Sequence, residues 1–446
     1  MTPLFQPEEL SAWVGRPWEN GRPAEVRGVG HDTRTLRPGM LYVALRGERF
    51  DGHDFLDEAF ARGASAALVA EECRVRGGPL LRVPDTLAGL HALARGYRRT
   101  WTAHVVGVTG SAGKTTVKEL CAAVLSRRGE THATAGNFNN HIGLPLTMLA
   151  MPRAARFGVF EIGMNRPGEI AELAALLQPH TGIVTAVGAA HREAFGSVEE
   201  IAREKAALLE ALPPDGLVLL PADDEWYDLL RNAAGNRRLV SVSLEGKAAD
   251  YRADIVDERT FELDGVRYRA PAPGAHMLRN TLLAVALGRE YGLPPAEIAA
   301  ALQAVELPPM RWQQIELHGV TFINDAYNAN PLSMRAALRA FLDAPARGNG
   351  RRWVVLGGMR ELGAAEEEEH RALGRFLRER NPDGVLLVGP AARAVRPADE
   401  NHWLLARDTR EAARLLRERL RPGDRVLLKA SRGERLERIL ENLKEA

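Results

Sequence analysis

Lysine is scarce in this 446-residue chain. Of 59 basic side chains only six are lysines, at positions 114, 118, 205, 247, 429 and 444. The bias towards arginine reflects genome composition more than function, yet it draws attention to the lysines that remain, because a guanidinium cannot supply a deprotonatable amine. Lys114 and Lys205 are the two expected to carry chemistry; Lys118 falls in a helix and Lys444 in the charged C-terminal tail. Cysteine is scarcer still. Cys73 and Cys121 stand far apart, which excludes a disulfide framework and points to a reducing compartment. Net charge is nearly absent as well: +1 gives no reason to expect a nucleic-acid or membrane partner. No stretch approaches 18 uninterrupted apolar residues, so no bilayer span is expected. Met1-Thr-Pro-Leu-Phe-Gln-Pro has neither the basic nor the apolar region of a signal peptide. These absences leave a soluble, cytoplasmic, globular protein, whose length suggests roughly three domains.

What is present is concentrated in Val105-Val-Gly-Val-Thr-Gly-Ser-Ala-Gly-Lys114-Thr-Thr116. A β-branched run breaks into glycines, then a helical pattern follows from Val117 to Ser126. Strand, tight loop and helix N-terminus make a phosphate cradle, in which Gly110 and Gly113 let backbone N–H groups face an anion. Ser111 and Ala112 lie between them. Lys114 can reach β- and γ-phosphate oxygens, and the Thr115 hydroxyl suits Mg²⁺. The usual G-x-x-x-x-G-K-[ST] spacing is not met, because position 108 is valine.

The first hundred residues alternate short strands (Met40 to Leu45, Ala66 to Val69, Leu80 to Val83) with helical runs (Asp54 to Arg62, Leu87 to Arg99). The phosphate loop then opens a second unit with strands expected at 104–108, 157–162, 182–187 and 216–220, the alternation of a mostly parallel sheet. Residues 253–268 alternate around an Asp-Gly turn and read as a hairpin, and a helix is expected from Met277 to Tyr291. Near Leu307-Pro-Pro-Met-Arg311 two prolines punctuate the chain. Beyond them, apolar strands at 352–357, 384–389 and 425–429 indicate a second, smaller Rossmann-like sheet; the acidic run Glu366–Glu369 reads as a solvated helix start. The fold class expected is α/β in three domains, residues 1–100, 101–308 and 309–446.

Several residues fall past strand ends, where ligands gather in open parallel sheets. Glu161 closes the strand at 157–162; it is either a solvent-facing glutamate or a carboxylate for Mg²⁺ on ATP. His191, past the next strand, is either a hydrogen-bonded structural histidine or a ligand. Lys205 is either a helix cation paired with Glu200 or Glu204, or a lysine whose charge is inverted by CO₂ to a carbamate. Two asparagine-dense segments, Gly136-Asn-Phe-Asn-Asn-His-Ile-Gly143 and Asn324-Asp-Ala-Tyr-Asn-Ala-Asn-Pro331, suit turns and also supply directed amides to polar ligands.

Together these segments resemble the Mur ligases, ATP-dependent amide-forming enzymes of peptidoglycan synthesis, over essentially the whole length. The family's loop T-G-S-x-G-K-T-T matches Thr109 to Thr116. Asn137–Pro145, Glu161–Asn165, His191–Ser197, Asn324–Met334, Leu356–Gly363 and Lys429–Gly433 are similar to the D-alanyl-D-alanine-adding members. Three positions depart from that pattern: Gly358 stands for an aspartate, Ala430 for a glycine, and Ala-Ala follows Lys205 where Gly-Glu is common.

The resemblance implies that Gly110 to Thr116, with Asn280, Arg311 and Asp325, bind ATP. It implies that Lys114 is catalytic, that Thr115, Glu161 and His191 hold Mg²⁺, and that Lys205 is the carbamylated lysine. Asp32, Thr33, Arg34, Gly47, Glu48, Arg49, Asp51 and His53 match UDP-sugar loops. Asn139, Asn140, Tyr327, Asn328 and Asn330 are expected at the substrates. UDP-N-acetylmuramoyl-tripeptide and D-Ala-D-Ala would then be the partners of a monomeric enzyme. The alternatives are a diaminopimelate- or lysine-adding relative, a folylpolyglutamate synthase, or a P-loop switch protein.

Overall fold

Three α/β layers follow one another along the chain in the computed structural model, which describes residues 4–74, 77–344 and 350–444. The first is a five-stranded sheet in the order Trp18–Glu19, Leu80–Val83, Ala66–Ala70, Leu41–Val43, Val29–Gly30, parallel except for the first strand. The helix Thr86–Arg98, capped by the Asp85 side chain, closes it.

The second layer is a seven-stranded parallel sheet. Its order is Tyr251–Arg252, Arg238–Ser243, Leu217–Pro221, Thr181–Val184, His104–Thr109, Phe157–Glu161, Thr131–Ala133. Its middle strands read as continuous apolar runs because both faces are covered by helices. The strand His104–Thr109 pairs with Phe157–Glu161 on one side and Thr181–Val184 on the other, so the loops after all three open on one edge. That edge holds the phosphate loop, Glu161 and the approach to His191.

The expected hairpin at 253–268 is a three-stranded antiparallel meander, Asp254–Asp257, Thr260–Leu263 and Val266–Arg269. The Asp-Gly turn joins only its last two strands. The extra strand, Asp254–Asp257, is exposed throughout and so carries no burial signal. The helix expected at 54–62 divides into a 3-10 turn, Gly52–Phe55, and an α-helix, Leu56–Ala61. Asp51 caps the 3-10 turn by accepting from His53 N.

The third layer is six-stranded: Gln313–Leu317, Val320–Asn324, Arg425–Lys429, Arg352–Leu356, Gly384–Val388, Leu404–Ala406, with only the first strand antiparallel. Alternation along its strands fills two cores. Val354, Leu356 and Leu427 face one side, and Trp353, Val355 and Leu428 the other, as the two-residue period of a strand requires.

Candidate active site

The loop after His104–Thr109 is shaped by backbone that side chains could not occupy. Gly110 has φ +153°, and a Cβ there would lie 2.0 Å from Thr185 Oγ1; Gly113 has φ +85°, with Asn280 Oδ1 2.7 Å from the Cβ position. Asn280, buried in the helix Ala275–Glu290, is thereby packed on the loop. Ser111 donates to Gly188 O at 2.9 Å and accepts from Gly188 N at 3.1 Å, tying the loop to the neighbouring strand's exit. The helix Lys114–Leu125 starts here and presents its N-terminus to the cradle.

Lys114 folds back to donate to the Gly110 carbonyl at 2.8 Å. Desolvation lowers its pKa and Arg311 lowers it further, while Glu161 and Glu361 oppose the shift. Glu161 is buried at its strand end. Its Oε2 accepts from Thr115 Oγ1 and its Oε1 from Asn139 Nδ2, both at 2.7 Å. Its own N–H donates to Thr134 Oγ1 at 2.9 Å, and the buried Lys118 donates to Thr134 O at 2.7 Å. The backbone that carries the carboxylate is thus held by Thr134, itself held by Lys118, two residues that sequence reasoning did not single out. The scarcity of lysine was a signal for Lys118, which is buried like Lys205 and Lys429; Thr134 carried none.

Thr115 Oγ1 and Glu161 Oε2 are hard oxygen donors side by side, the type Mg²⁺ takes. Among the described residues no three His, Cys, Asp or Glu side chains converge as a ligand set. Mg²⁺ at a nucleotide also takes phosphate and water oxygens, and the two oxygens of Thr115 and Glu161 fit such an ion.

Lys205 is buried in the helix Val198–Glu210. Burial lowers its pKa well below the ordinary value, and Lys114 adds to the shift. Its Nζ lies 3.6 Å from Met164 Sδ. The pairing weighed for it is not formed: Glu204 accepts from Gly168 N and Ile170 N, and Glu200 from Gly196 N. A neutral, desolvated amine is a nucleophile towards CO₂, and the carbamate that results is an oxygen donor.

The third sheet contributes directly to this edge. Arg311 Nη2 donates to Thr115 Oγ1 at 2.8 Å while its guanidinium lies 4.2 Å from the Tyr327 ring centre. Asn330 caps the helix Pro331–Leu342 and donates through Nδ2 to Ser111 O at 2.9 Å. His191 Nδ1 lies 2.7 Å from Glu361 Oε2. The hydrogen bond to His191, with the charge of Lys114 nearby, holds the Glu361 carboxyl below its usual range despite partial burial. Asp325 pairs with the buried Lys429 at 2.6 Å and accepts from Trp312 N at 3.1 Å. Asn328 stays exposed, its backbone O accepting from the same lysine and its Oδ1 from the Ala329 N–H. Asn140 is occupied locally, accepting from Ile142 N and Gly143 N.

The first-sheet candidates form a separate group. Arg34 grips Asp32 bidentately, at 2.9 and 2.6 Å, and holds its carboxyl down at about 2. Thr33 beside them is buried. Gly47, Glu48, Arg49, Phe50, Asp51 and Phe55 line an open pocket of about 380 Å³. His53 stands behind it, accepting from Ala70 N through Nε2.

Three family models match in chain order. The Mur ligase family, catalytic domain, matches residues 25–98; the Mur ligase middle domain matches 108–288; the Mur ligase, glutamate ligase domain, matches 310–432. The UDP-N-acetylmuramoyl-tripeptide–D-alanyl-D-alanine ligase of Bacillus subtilis is 36% identical over 94% of both chains. The chain belongs to the Mur ligase family. The Escherichia coli ligase of the same name is 37% identical to this Mur ligase over 85% of its chain and 84% of the relative's. Among solved structures, MurF from Acinetobacter baumannii superposes with a TM-score of 0.89 at 30% identity, covering all of both chains. MurF from Thermotoga maritima in complex with ADP gives 0.82 at 30% identity, over 94% of this Mur ligase and 97% of the other chain.

Proposed function

We propose that this Mur ligase joins D-Ala-D-Ala to UDP-N-acetylmuramoyl-tripeptide, using ATP, as a monomer in the cytoplasm. The observation that carries the reading is the meeting of Lys114, Thr115 and Glu161 with Arg311, Asn330 and Glu361 from the third sheet, in a chain similar end to end to ligases of that name. We divide the chain at 100/101 and 308/309. The helix Thr86–Arg98 ends, and the strand from His104 begins, on either side of the first boundary, and the prolines mark the second.

In this reading the tripeptide carboxylate attacks the γ-phosphorus of ATP, ADP leaves, and an acyl phosphate results. The dipeptide amine then adds to the acyl carbon, phosphate departs, and the amine proton leaves with it or to solvent. Carboxylate and γ-phosphate repel, so positive charge must be placed before they meet. Lys114 supplies it from the loop and Arg311 from the third domain. Mg²⁺, held by Thr115 and Glu161 with His191 and carbamylated Lys205 on the same edge, would neutralise further phosphate charge. Gly110 to Thr116 and Asn280 hold the nucleotide, Asp325 its ribose, and Asn139, Tyr327 and Asn330 the reacting peptide ends. Asp32 to Arg34 and the Gly47–His53 loop hold the UDP moiety. An acyl phosphate hydrolyses readily, so docking of the third domain serves to exclude water.

ADP release tests the reading. With the UDP-tripeptide and ATP, turnover is expected to require D-Ala-D-Ala. Release at equal rates without any amine acceptor would favour a nucleotide switch, and preference for a single amino acid would favour another Mur-like ligase.

A further inference from the structure

The contact between His191 and Glu361 is unlike the others that join the third domain to the central one. Both residues have left-handed backbone, φ +56° for His191 and +65° for Glu361, a region that non-glycine residues enter when their surroundings hold them there. Their side chains meet at 2.7 Å, and the backbone meets as well, Glu193 N donating to Glu361 O at 3.1 Å. Glu361 is carried stiffly. Met359 N donates to the buried His370 Nε2, and Arg360 N to Ser431 Oγ, each at 2.9 Å. On the other side, His191 O accepts from Ala194 N, closing a turn after the strand Thr181–Val184.

We infer that Glu361 is a positioning residue, which accepts the Nδ1 proton of His191, fixes the imidazole's tautomer and aim, and so completes the metal-binding edge of the central domain only when the third domain is docked. A carboxylate on Nδ1–H leaves Nε2 as the nitrogen with a free lone pair. This is the arrangement by which a partner outside the ligand set orients a histidine towards a metal. Here that partner comes from another domain, so closure and metal binding reinforce each other. Closing brings Glu361 to His191, and an oriented His191 rewards the closed form by holding the ion.

The inference rests on the reading of His191 as a ligand, and the test separates the two. Binding of a non-hydrolysable ATP analogue to the full chain is followed by calorimetry across a Mg²⁺ series, and compaction is followed by small-angle scattering. Glu361→Ala is expected to raise the Mg²⁺ needed for half-maximal binding on the order of tenfold and to leave the protein expanded with analogue and Mg²⁺. Glu361→Gln, whose amide oxygen still accepts from Nδ1–H, is expected to recover part of both. His191→Ala should match Glu361→Ala, and the double variant should go no further than either. A shift with His191→Ala but none with Glu361→Ala, or additive effects in the double variant, overturns the coupling and leaves the ligand reading intact. No shift with His191→Ala overturns the ligand reading and the inference with it.

Discussion

Burying an ammonium with no carboxylate against it favours the neutral amine, and Lys205 is in that position. Below its folded pKa both folded and unfolded chains hold the proton; above about 10.4 neither does. In between only the unfolded chain binds it, so stability should rise with pH across that window by about 1.4 kcal/mol per pH unit for this group. In CO₂-free buffer, Lys205→Met should flatten the rise seen in denaturant titrations as the pH approaches about 10; an unchanged slope would place the amine in solvent. With CO₂ present the same neutral amine can become a carbamate. Lys205→Ala should then be nearly inactive and partly rescued by acetate or formate, which fit the vacated space. Wild-type turnover in that variant would reduce Lys205 to a structural lysine. Its rarity made it visible in the sequence, but its burial was not, since Glu200 and Glu204 nearby in the same helix suggested a solvated pairing. Glu361 lay inside a recognised segment without being singled out, because nothing local says that its partner is a histidine 170 positions earlier.

At the level of elements, the legible parts were those whose burial writes a pattern. The strands His104–Thr109, Phe157–Glu161, Arg352–Leu356 and Arg425–Lys429 are buried from both sides and appear as apolar runs. Thr131–Ala133, Gln313–Leu317 and Leu404–Ala406 are short or half-exposed strands and left no such mark. Glycine gave the phosphate loop away because its backbone excludes a side chain. Gly110→Ala should bring Cβ onto Thr185 Oγ1, 2.0 Å away, at φ +153°. Strain of about 1–3 kcal/mol corresponds to roughly 5- to 150-fold weaker nucleotide binding. Titration with a fluorescent ATP analogue would read it, and unchanged affinity would mean that Thr185 moves aside freely.

The molecule as a whole is held together unevenly. A single apolar core runs from Phe5, Leu41 and Tyr97 in the first domain to Trp101, Met148, Phe160 and Leu208 in the second. Trp101 stacks on Phe160 at 5.8 Å, and Tyr97 Oη donates to Met151 O at 2.6 Å. The third domain keeps its own two cores and meets the central domain mainly through polar contacts, Arg311 on Thr115, Asn330 on Ser111 and Glu361 on His191, with Trp312 packed at the margin of both its core and the central one. Polar interfaces within a chain leave domains free to move, whereas shared cores do not. The first two domains should therefore unfold together and the third separately. Trp101→Ala removes an aromatic side chain that is 9% exposed, at a cost of about 3–5 kcal/mol. Scanning calorimetry of the full chain should show one transition moving down by roughly 5–8 °C while the other stays in place. Movement of both transitions together would mean that the third domain shares the stability of the rest, and that its docking on the phosphate loop is permanent.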